Sequence, residues 1–311
     1  MPYIKETCVA GRTIEVRKYY SWHIGKHWER RENCRQTPEA QKRANRKNAE
    51  RNLRRLLNAN FRDGEDCLVT LDIDQKHYPE EIRKLVQSAR ESRKRLVLTP
   101  EQAELMKDTV LHMMQKFIRR LRRAYKAHGL TLKYVYCIEV GRGGAFHVHM
   151  VLSDAFATEC KQLLLWQAWT YGGVHVEALH TEGQYARIAS YFVKYAEKTA
   201  EASAQPEGSE AHVGKLWYPS RNLIRPEPRK EVVPALRWRE EPKPVKGYVV
   251  DKSSIWSGIS ELTGLPYMEY TMLRAWERDG RRRKAAEDPG GSKKAGRGAP
   301  PGEKESAWPD F

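Results

Sequence analysis

The sequence predicts an α+β fold in which an antiparallel sheet carries packed helices. The first observation is the alternation of apolar residues over Cys67–Asp74, which is typical of a half-buried strand. The second is a pair of strand-like runs, 131–140 and 145–153, that a glycine-rich connection joins as a hairpin. The third is the order of elements from residue 67 onward, which reads β, α, β, β, α, β, α. We expect the helices to cover this sheet on one side.

The N-terminal residues predict an extension ahead of this sheet. Residues 3–20 predict two short strands about a turn at residues 10–12. A helix then begins at Thr37-Pro38, an N-cap threonine followed by a proline at the first helical position, and ends near Phe61. Apart from an apolar cluster of Leu53, Leu56, Leu57 and Phe61, its residues are mostly Arg, Lys and Asn. Two interpretations stay open, a basic face exposed to solvent or an arm that contacts DNA phosphates.

The central elements follow from periodicity. Helices are predicted over 79–96 and 99–128, and the second begins at Thr99-Pro100 and ends before Gly129. The apolar stripe of the second helix, which includes methionines, is interpreted as core. After the hairpin come a helix, a short strand and a last helix, over 154–170, 174–179 and 183–200.

Composition shifts divide the chain into five segments. They are an extension over 1–61, a catalytic domain over 62–200, a linker over 201–211, an accessory region over 212–277 and a disordered basic tail over 278–311. The accessory region holds scattered Trp, Tyr and Pro, so we expect it to be ordered, in a form that the pattern does not define.

The overall composition excludes several classes of protein. Among 311 residues, 56 Lys and Arg stand against 40 Asp and Glu, for a net charge of +16. The hydrophobic fraction of 40% rules out wholesale disorder, and no apolar run is long enough to span a membrane. The start lacks the apolar segment of a signal peptide, and five cysteines without a CxxC pair support neither a disulfide framework nor a zinc ribbon. We expect a cytoplasmic protein whose partner is a polyanion.

The strand at 146–152 carries the first candidate site. Side chains alternate along a strand, so His147 and His149 share one face while the apolar residues between and around them face the core. Glu139, on the preceding strand, could be a third ligand. Two imidazoles and a carboxylate suit Mn²⁺ or Mg²⁺ when phosphate oxygens complete the shell. The alternative is an exposed pair of strand histidines.

The last predicted helix carries the second candidate site. Tyr191 and Tyr195 are four residues apart and therefore share a helix face, with Lys194 on the same side. A tyrosine hydroxyl can attack phosphorus when a cation stabilises the charge that develops. The alternative is that both tyrosines are residues at the edge of the core.

Together these motifs resemble the HUH endonucleases, specifically the rolling-circle replication initiators of small single-stranded DNA phages and related bacterial plasmids. The resemblance covers roughly residues 60–200. It lies in three ordered motifs, namely the strand Cys67–Asp74, His147-Val148-His149, and the Tyr-x-x-Lys-Tyr run 191–195. Asp72 departs from it, because many members carry an uncharged residue there.

The resemblance implies a ferredoxin-like or RRM-like nuclease core with a defined chemistry. His147, His149 and Glu139 would hold Mg²⁺ or Mn²⁺, Tyr191 would attack the scissile phosphate of single-stranded or hairpin origin DNA, and Lys194 would hold charge. Tyr195 would act in the second round. Host polymerase and helicase are the implied protein partners in the cytoplasm of a bacterial host. The helicase is implied because the chain has no GxxxxGK[ST] phosphate loop and therefore no expected ATPase domain of its own.

Further DNA contacts follow from the positive charge. Candidates for backbone contacts are Arg142, Arg187, Lys133 and the helix over 38–56. Candidates for base stacking, or else core residues, are Trp166, Trp169, Tyr171 and Tyr185. The competing functions are a relaxase or single-strand transposase with the same chemistry, a non-catalytic nucleic-acid-binding protein, and a metal-dependent RNA nuclease that does not need Tyr191.

Overall fold

The computed structural model describes residues 3–21, 39–93, 96–141, 144–153, 158–179, 184–201 and 215–275. The strands are β1 Tyr3–Ala10, β2 Thr13–Tyr20, β3 Cys67–Asp72, β4 Tyr134–Val140, β5 Phe146–Leu152, β6 Val174–Ala178, β7 Tyr218–Pro219, β8 Arg229–Val233, β9 Tyr248–Ile259 and β10 Pro266–Arg274. The helices are α1 Glu39–Asn60, α2 Glu80–Glu91, α3 Pro100–Ala127, α4 Thr158–Ala168 and α5 Ala186–Glu201. None of the helices in these ranges is long and apolar enough to cross a bilayer.

The α+β prediction is confirmed. One five-stranded sheet has the order β6–β3–β5–β4–β7, and every neighbouring pair is antiparallel. Its first four strands, connected through α2, α3 and α4, have the order of a ferredoxin-like βαββαβ unit. Thr99 caps α3 as the sequence predicts, since its side chain accepts from the backbone N–H of Gln102.

The prediction that helices cover one side of this sheet is wrong. The face that carries Val148 packs against α2, α3 and α4, in a core that includes Ile82, Phe117 and Leu165. The opposite face packs against α1 and α5, where Val151 belongs to a second core. The reason is that β4 and β5 are apolar on both faces, so each face has to be covered.

A second five-stranded sheet has the order β8–β1–β2–β10–β9. It joins the N-terminal hairpin to strands from the accessory region, so both ends of the described chain contribute to one structure. Gly11 forms the tight end of the hairpin with φ 56°, and a Cβ added there would lie 1.9 Å from the carbonyl oxygen of Asn58 in α1. Only glycine permits this close contact between the hairpin and α1.

Buried ion pairs hold α1 against the second sheet. Arg55 donates to Glu6 and Glu15, at 2.9 and 2.8 Å, and all three side chains are buried. Arg54 also contacts Glu15, and Arg51 donates to Glu269. The guanidinium groups of Arg51 and Arg55 are therefore used inside the protein and belong neither to an exposed basic face nor to a DNA arm.

Several predicted features lie outside the described residues. They are the predicted helix start at Thr37-Pro38, Arg142, most of the linker over 201–211 and the tail over 278–311.

Candidate active site

The two histidines of β5 lie on the sheet face that α5 covers. Their neighbours Val148 and Met150 are fully buried on the other face, as the alternation predicts. Across the sheet, His147 stands opposite Asp72 of β3 and Glu139 of β4. His149 stands opposite Thr70 and Cys137.

Side chains of β3 hold the Nδ1 atom of each histidine. Nδ1 of His147 donates to Oδ1 of Asp72 at 2.7 Å. Nδ1 of His149 accepts from the hydroxyl of Thr70 at 3.2 Å, while its Nε2 donates to Oε2 of Glu139 at 2.7 Å. The Nε2 atom of His147 lies 3.6 Å from the position of a Cβ added at Gly141. Both Nε2 atoms are therefore turned towards β4, where Glu139 lies.

Asp72 is the most connected residue of this site. Its second carboxylate oxygen, Oδ2, accepts from Nε2 of His175 at 3.2 Å, so the carboxylate bridges two histidines on different strands. The indole N–H of Trp169 donates to the backbone carbonyl of Asp72, and the backbone N–H of Asp72 donates to the carbonyl of Gly173. A Cβ added at Gly172 would lie 2.3 Å from the carbonyl oxygen of Asp72. This pair of glycines permits β6 to approach β3 closely.

Tyr191 and Tyr195 of α5 pack directly on His149. The ring centroid of His149 is 5.3 Å from that of Tyr191, at an edge-on angle, and 5.1 Å from that of Tyr195, nearly parallel. Tyr195 is buried and Tyr191 is half-buried, while Lys194 is exposed. The helix places both rings because Phe192 and Val193, fully buried on its inner face, fix its orientation on the sheet.

Both tyrosine hydroxyls are kept protonated by their surroundings. Burial raises the pKa of Tyr191 well above its ordinary value, and the hydrogen bond to Tyr195 and the nearby Glu139 carboxylate raise it further. Burial also raises the pKa of Tyr195, although its hydrogen bond to Tyr191 acts in the opposite direction. Positive charge placed beside Glu139 would therefore favour loss of a tyrosine proton.

The donor set fits a divalent cation in its chemistry. Two imidazole nitrogens and a carboxylate are suitable ligands, and Asp72 and Thr70 act as the outer partners that commonly orient such histidines. Glu139 and His149 are in direct contact, whereas the ring centroids of His147 and His149 are 6.5 Å apart. Within the described residues, no three His, Cys, Asp or Glu side chains are already grouped closely enough to hold an ion. Burial raises the pKa of the Cys137 thiol well above its ordinary value, and the Glu139 carboxylate raises it further.

The predicted DNA contacts do not all lie at this site. Arg187 is exposed on α5, one helical turn before Tyr191, and lines a cavity of about 610 Å³ between α5 and the second sheet. Lys133 precedes β4 and lies roughly 20 Å along the strand from Glu139. Among the candidates for base stacking, Trp169 and Tyr185 are buried and Trp166 is exposed.

Two residues of the site were not assigned a role from the sequence. Thr70 and His175 contact His149 and Asp72, respectively. Alternation along β3 does predict that Thr70 and Asp72 share a face, which was a usable signal. No such signal indicated a role for His175, because the pairing of β6 with β3 joins segments that are far apart in the sequence.

Comparison with the sequence models of known families gives a match. Residues 94–200 match the sequence model of a family described as replication-associated protein ORF2/G2P. The match begins ahead of α3 and ends near the end of α5, so it contains the histidines, Glu139 and both tyrosines, but neither β3 nor the second sheet. A search of curated proteins and a search of solved structures each found no match. About a third of the chain, including most of the candidate site, is thus similar to replication-associated proteins.

Proposed function

We propose that this protein initiates rolling-circle replication by nicking single-stranded origin DNA with a tyrosine and later rejoining the strand. The observation that carries the proposal is the packing of Tyr191 and Tyr195 on His149, whose Nε2 contacts Glu139. Two candidate nucleophiles thereby lie beside a set of potential metal ligands. The similarity of residues 94–200 to replication-associated proteins supports the biological setting.

The proposed step is a transesterification. The phenolic oxygen of Tyr191 forms a bond to the scissile phosphorus as the bond from phosphorus to the 3′ oxygen breaks. The phenol loses its proton, and the leaving oxygen takes one to become a free 3′-OH. The phosphodiester energy is retained in a 5′-phosphotyrosyl link, so rejoining requires no nucleotide cofactor. Host polymerase extends the 3′-OH, and a host helicase separates the strands.

Each side chain has a role in this scheme. Glu139, His147 and His149 would hold Mg²⁺ or Mn²⁺, which supplies positive charge beside the scissile phosphate. Lys194, exposed on the helix between the tyrosines, adds a further positive charge. After one round, Tyr195 attacks the regenerated site, and the freed 3′-OH attacks the first phosphotyrosine to close a circle.

The test is a search for a covalent adduct. Single-stranded oligonucleotides covering the DNA that flanks the gene are labelled at the 5′ or the 3′ end and incubated with the protein and Mn²⁺, with or without EDTA. A denaturing SDS gel should show a metal-dependent protein band that carries the 3′ label. The double variant Tyr191→Phe/Tyr195→Phe should lose this band.

The matched control is Tyr218→Phe. It makes the same change on a tyrosine that stacks on Tyr136, away from the histidines, and it should keep the adduct. Cleavage without an adduct would instead indicate a hydrolytic nuclease. Binding without cleavage or an adduct would indicate a non-catalytic nucleic-acid-binding protein. Relaxases and single-strand transposases share the adduct, and they are distinguished by whether the nicked strand is released as a unit-length circle.

A further inference from the structure

The last third of α3 is strongly basic. Residues 109–138 contain no Asp or Glu. Five exposed cations lie within this stretch of the helix, namely Lys116, Arg119, Arg122, Arg123 and Lys126. At 3.6 residues per turn they fall within about a third of the helix circumference and extend over roughly 15 Å. We call these five residues the α3 basic face.

The α3 basic face points away from the core. The residues on the opposite side of the same helix, such as Phe117, Leu121 and Tyr125, are buried against the sheet. Its cations therefore project from the opposite side of the helix into solvent. Among the described residues, none of Lys116, Arg119, Arg123 and Lys126 forms an ion pair.

Positive charge continues beyond the helix. Arg122 and Arg221 both lie close enough to the hydroxyl of Tyr134 to act on it electrostatically. Burial raises the pKa of Tyr134, and these two guanidinium groups oppose that effect. Lys133, the residue before Tyr134, lies at the same end of the sheet. Like charges held together in this way repel one another, and an anionic partner would relieve the repulsion.

This surface is separate from the candidate active site. The inner side of α3 belongs to the core on the Val148 face of the sheet, whereas Tyr191 and Tyr195 cover the other face. The α3 basic face lies at least one helix diameter, about 10 Å, beyond the sheet. A DNA segment bound at His149 therefore cannot contact it without passing around the sheet edge.

We propose that the α3 basic face binds the phosphate backbone of a DNA duplex while the single strand occupies the opposite face. The inference rests on the proposed function in taking DNA as the partner. Surfaces that bind single strands combine charge with exposed aromatic rings on which bases stack. Here Phe117, Tyr125 and Tyr134 are all buried, so none of these three rings is open for a base to stack on. Charge without stacking suits the backbone of a duplex.

The experiment compares two triple variants of the full-length protein. Arg119→Gln/Arg123→Gln/Lys126→Gln removes three charges from the α3 basic face. Lys230→Gln/Lys243→Gln/Lys252→Gln removes three exposed charges elsewhere and serves as the matched control. Binding is measured by fluorescence anisotropy at several salt concentrations. The probes are a blunt DNA duplex of mixed sequence, a thymidine single strand of equal length, and phosphatidylserine vesicles.

The α3 variant should bind the duplex about tenfold more weakly or worse, and the slope of log K against log salt should fall by about 2 to 3. The control variant should change duplex binding less than about twofold. An equal loss in both variants, or a loss confined to the single strand or to the vesicles, would overturn the proposal. The α3 variant should nick short single-stranded oligonucleotides at the same rate as the wild type. If the wild-type protein does not nick, the proposed function is rejected. The comparison of duplex binding between the two variants still tests the role of the α3 basic face.

Discussion

The carboxylate of Asp72 accepts a hydrogen bond from Nδ1 of His147 at 2.7 Å, and this contact sets the orientation of the imidazole. The ring cannot rotate without breaking it, so Nε2 stays turned towards Gly141 and the side of β4. The orientation of His147 is thus controlled from β3, a strand that carries none of the proposed nucleophiles or ligands.

Removing this acceptor should weaken catalysis without unfolding the protein. We expect Asp72→Ala to lower the nicking rate at limiting Mn²⁺ by about 10- to 100-fold, the usual effect of losing an outer partner of a metal-binding histidine. Asp72→Asn, whose amide oxygen can still accept from Nδ1, should recover most of the rate. Nicking rates over a series of Mn²⁺ concentrations check this, with His175→Ala as the control on the other carboxylate oxygen. Equal rates for Ala and Asn would contradict a positioning role.

The two tyrosines differ in exposure, and this should separate their roles. Tyr191 is half-buried and Tyr195 is 5% exposed, so the first strand to bind reaches Tyr191 more readily. We expect Tyr191→Phe to reduce adduct formation in the first turnover by about tenfold or more, and Tyr195→Phe to reduce it much less. Single-turnover gels with the 3′-labelled strand measure both. The reverse order would assign the first attack to Tyr195.

Local patterns were sufficient to predict the elements of the site. Strand alternation identifies the shared face of His147 and His149, and helical spacing identifies the shared face of Tyr191 and Tyr195. The spatial meeting of these two pairs was expected only from the resemblance to a known family. It depends on α5 packing over β5, a contact between distant segments that local periodicity does not encode.

The second sheet was beyond sequence analysis for the same reason. Strand β2 pairs with β10, whose residues are about 250 positions away, and no short-range signal specifies such a pair. The buried ion pairs of the Arg residues of α1 could not be predicted either, because Glu6 and Glu15 have the pattern of ordinary surface residues of a hairpin. These two carboxylates meet the arginines of α1 only in the folded protein, where α1 packs against that hairpin.

The contact between β6 and β3 predicts a strict requirement for glycine at residue 172. A Cβ there would lie 2.3 Å from the carbonyl oxygen of Asp72, so backbone would have to move. We expect Gly172→Ala to lower the free energy of unfolding by about 1–3 kcal/mol, as overpacking commonly does. Urea denaturation measures this. Gly258→Ala is the control, because its nearest neighbour atom would lie at 3.6 Å, an ordinary contact. Equal stability of the two variants would mean that β6 adjusts freely.

The ion pairs between α1 and the second sheet predict how stability changes in acid. Burial alone would raise the pKa of Glu15, but Arg54 and Arg55 outweigh it and hold the pKa below its ordinary value of 4.5, and Arg55 and Arg17 do the same for Glu6. Because the folded-state pKa values are lowered, this stabilisation is complete above the ordinary value and is lost as the pH falls through the folded-state values.

Glu15→Gln should therefore reduce the free energy of unfolding at neutral pH by about 3–5 kcal/mol, since it leaves buried guanidinium charge without its partner. The difference from the wild type should shrink as the pH falls well below 4.5, because Glu15 of the wild type then becomes neutral as well. Urea denaturation over a series of pH values measures both effects. Glu231→Gln, which removes an exposed carboxylate that pairs with Arg229 on β8, should change stability little at any pH. A constant difference between Glu15→Gln and the wild type down to strongly acidic pH would show that the ion pairs do not control the acid response, and that the cost of the substitution comes from packing alone.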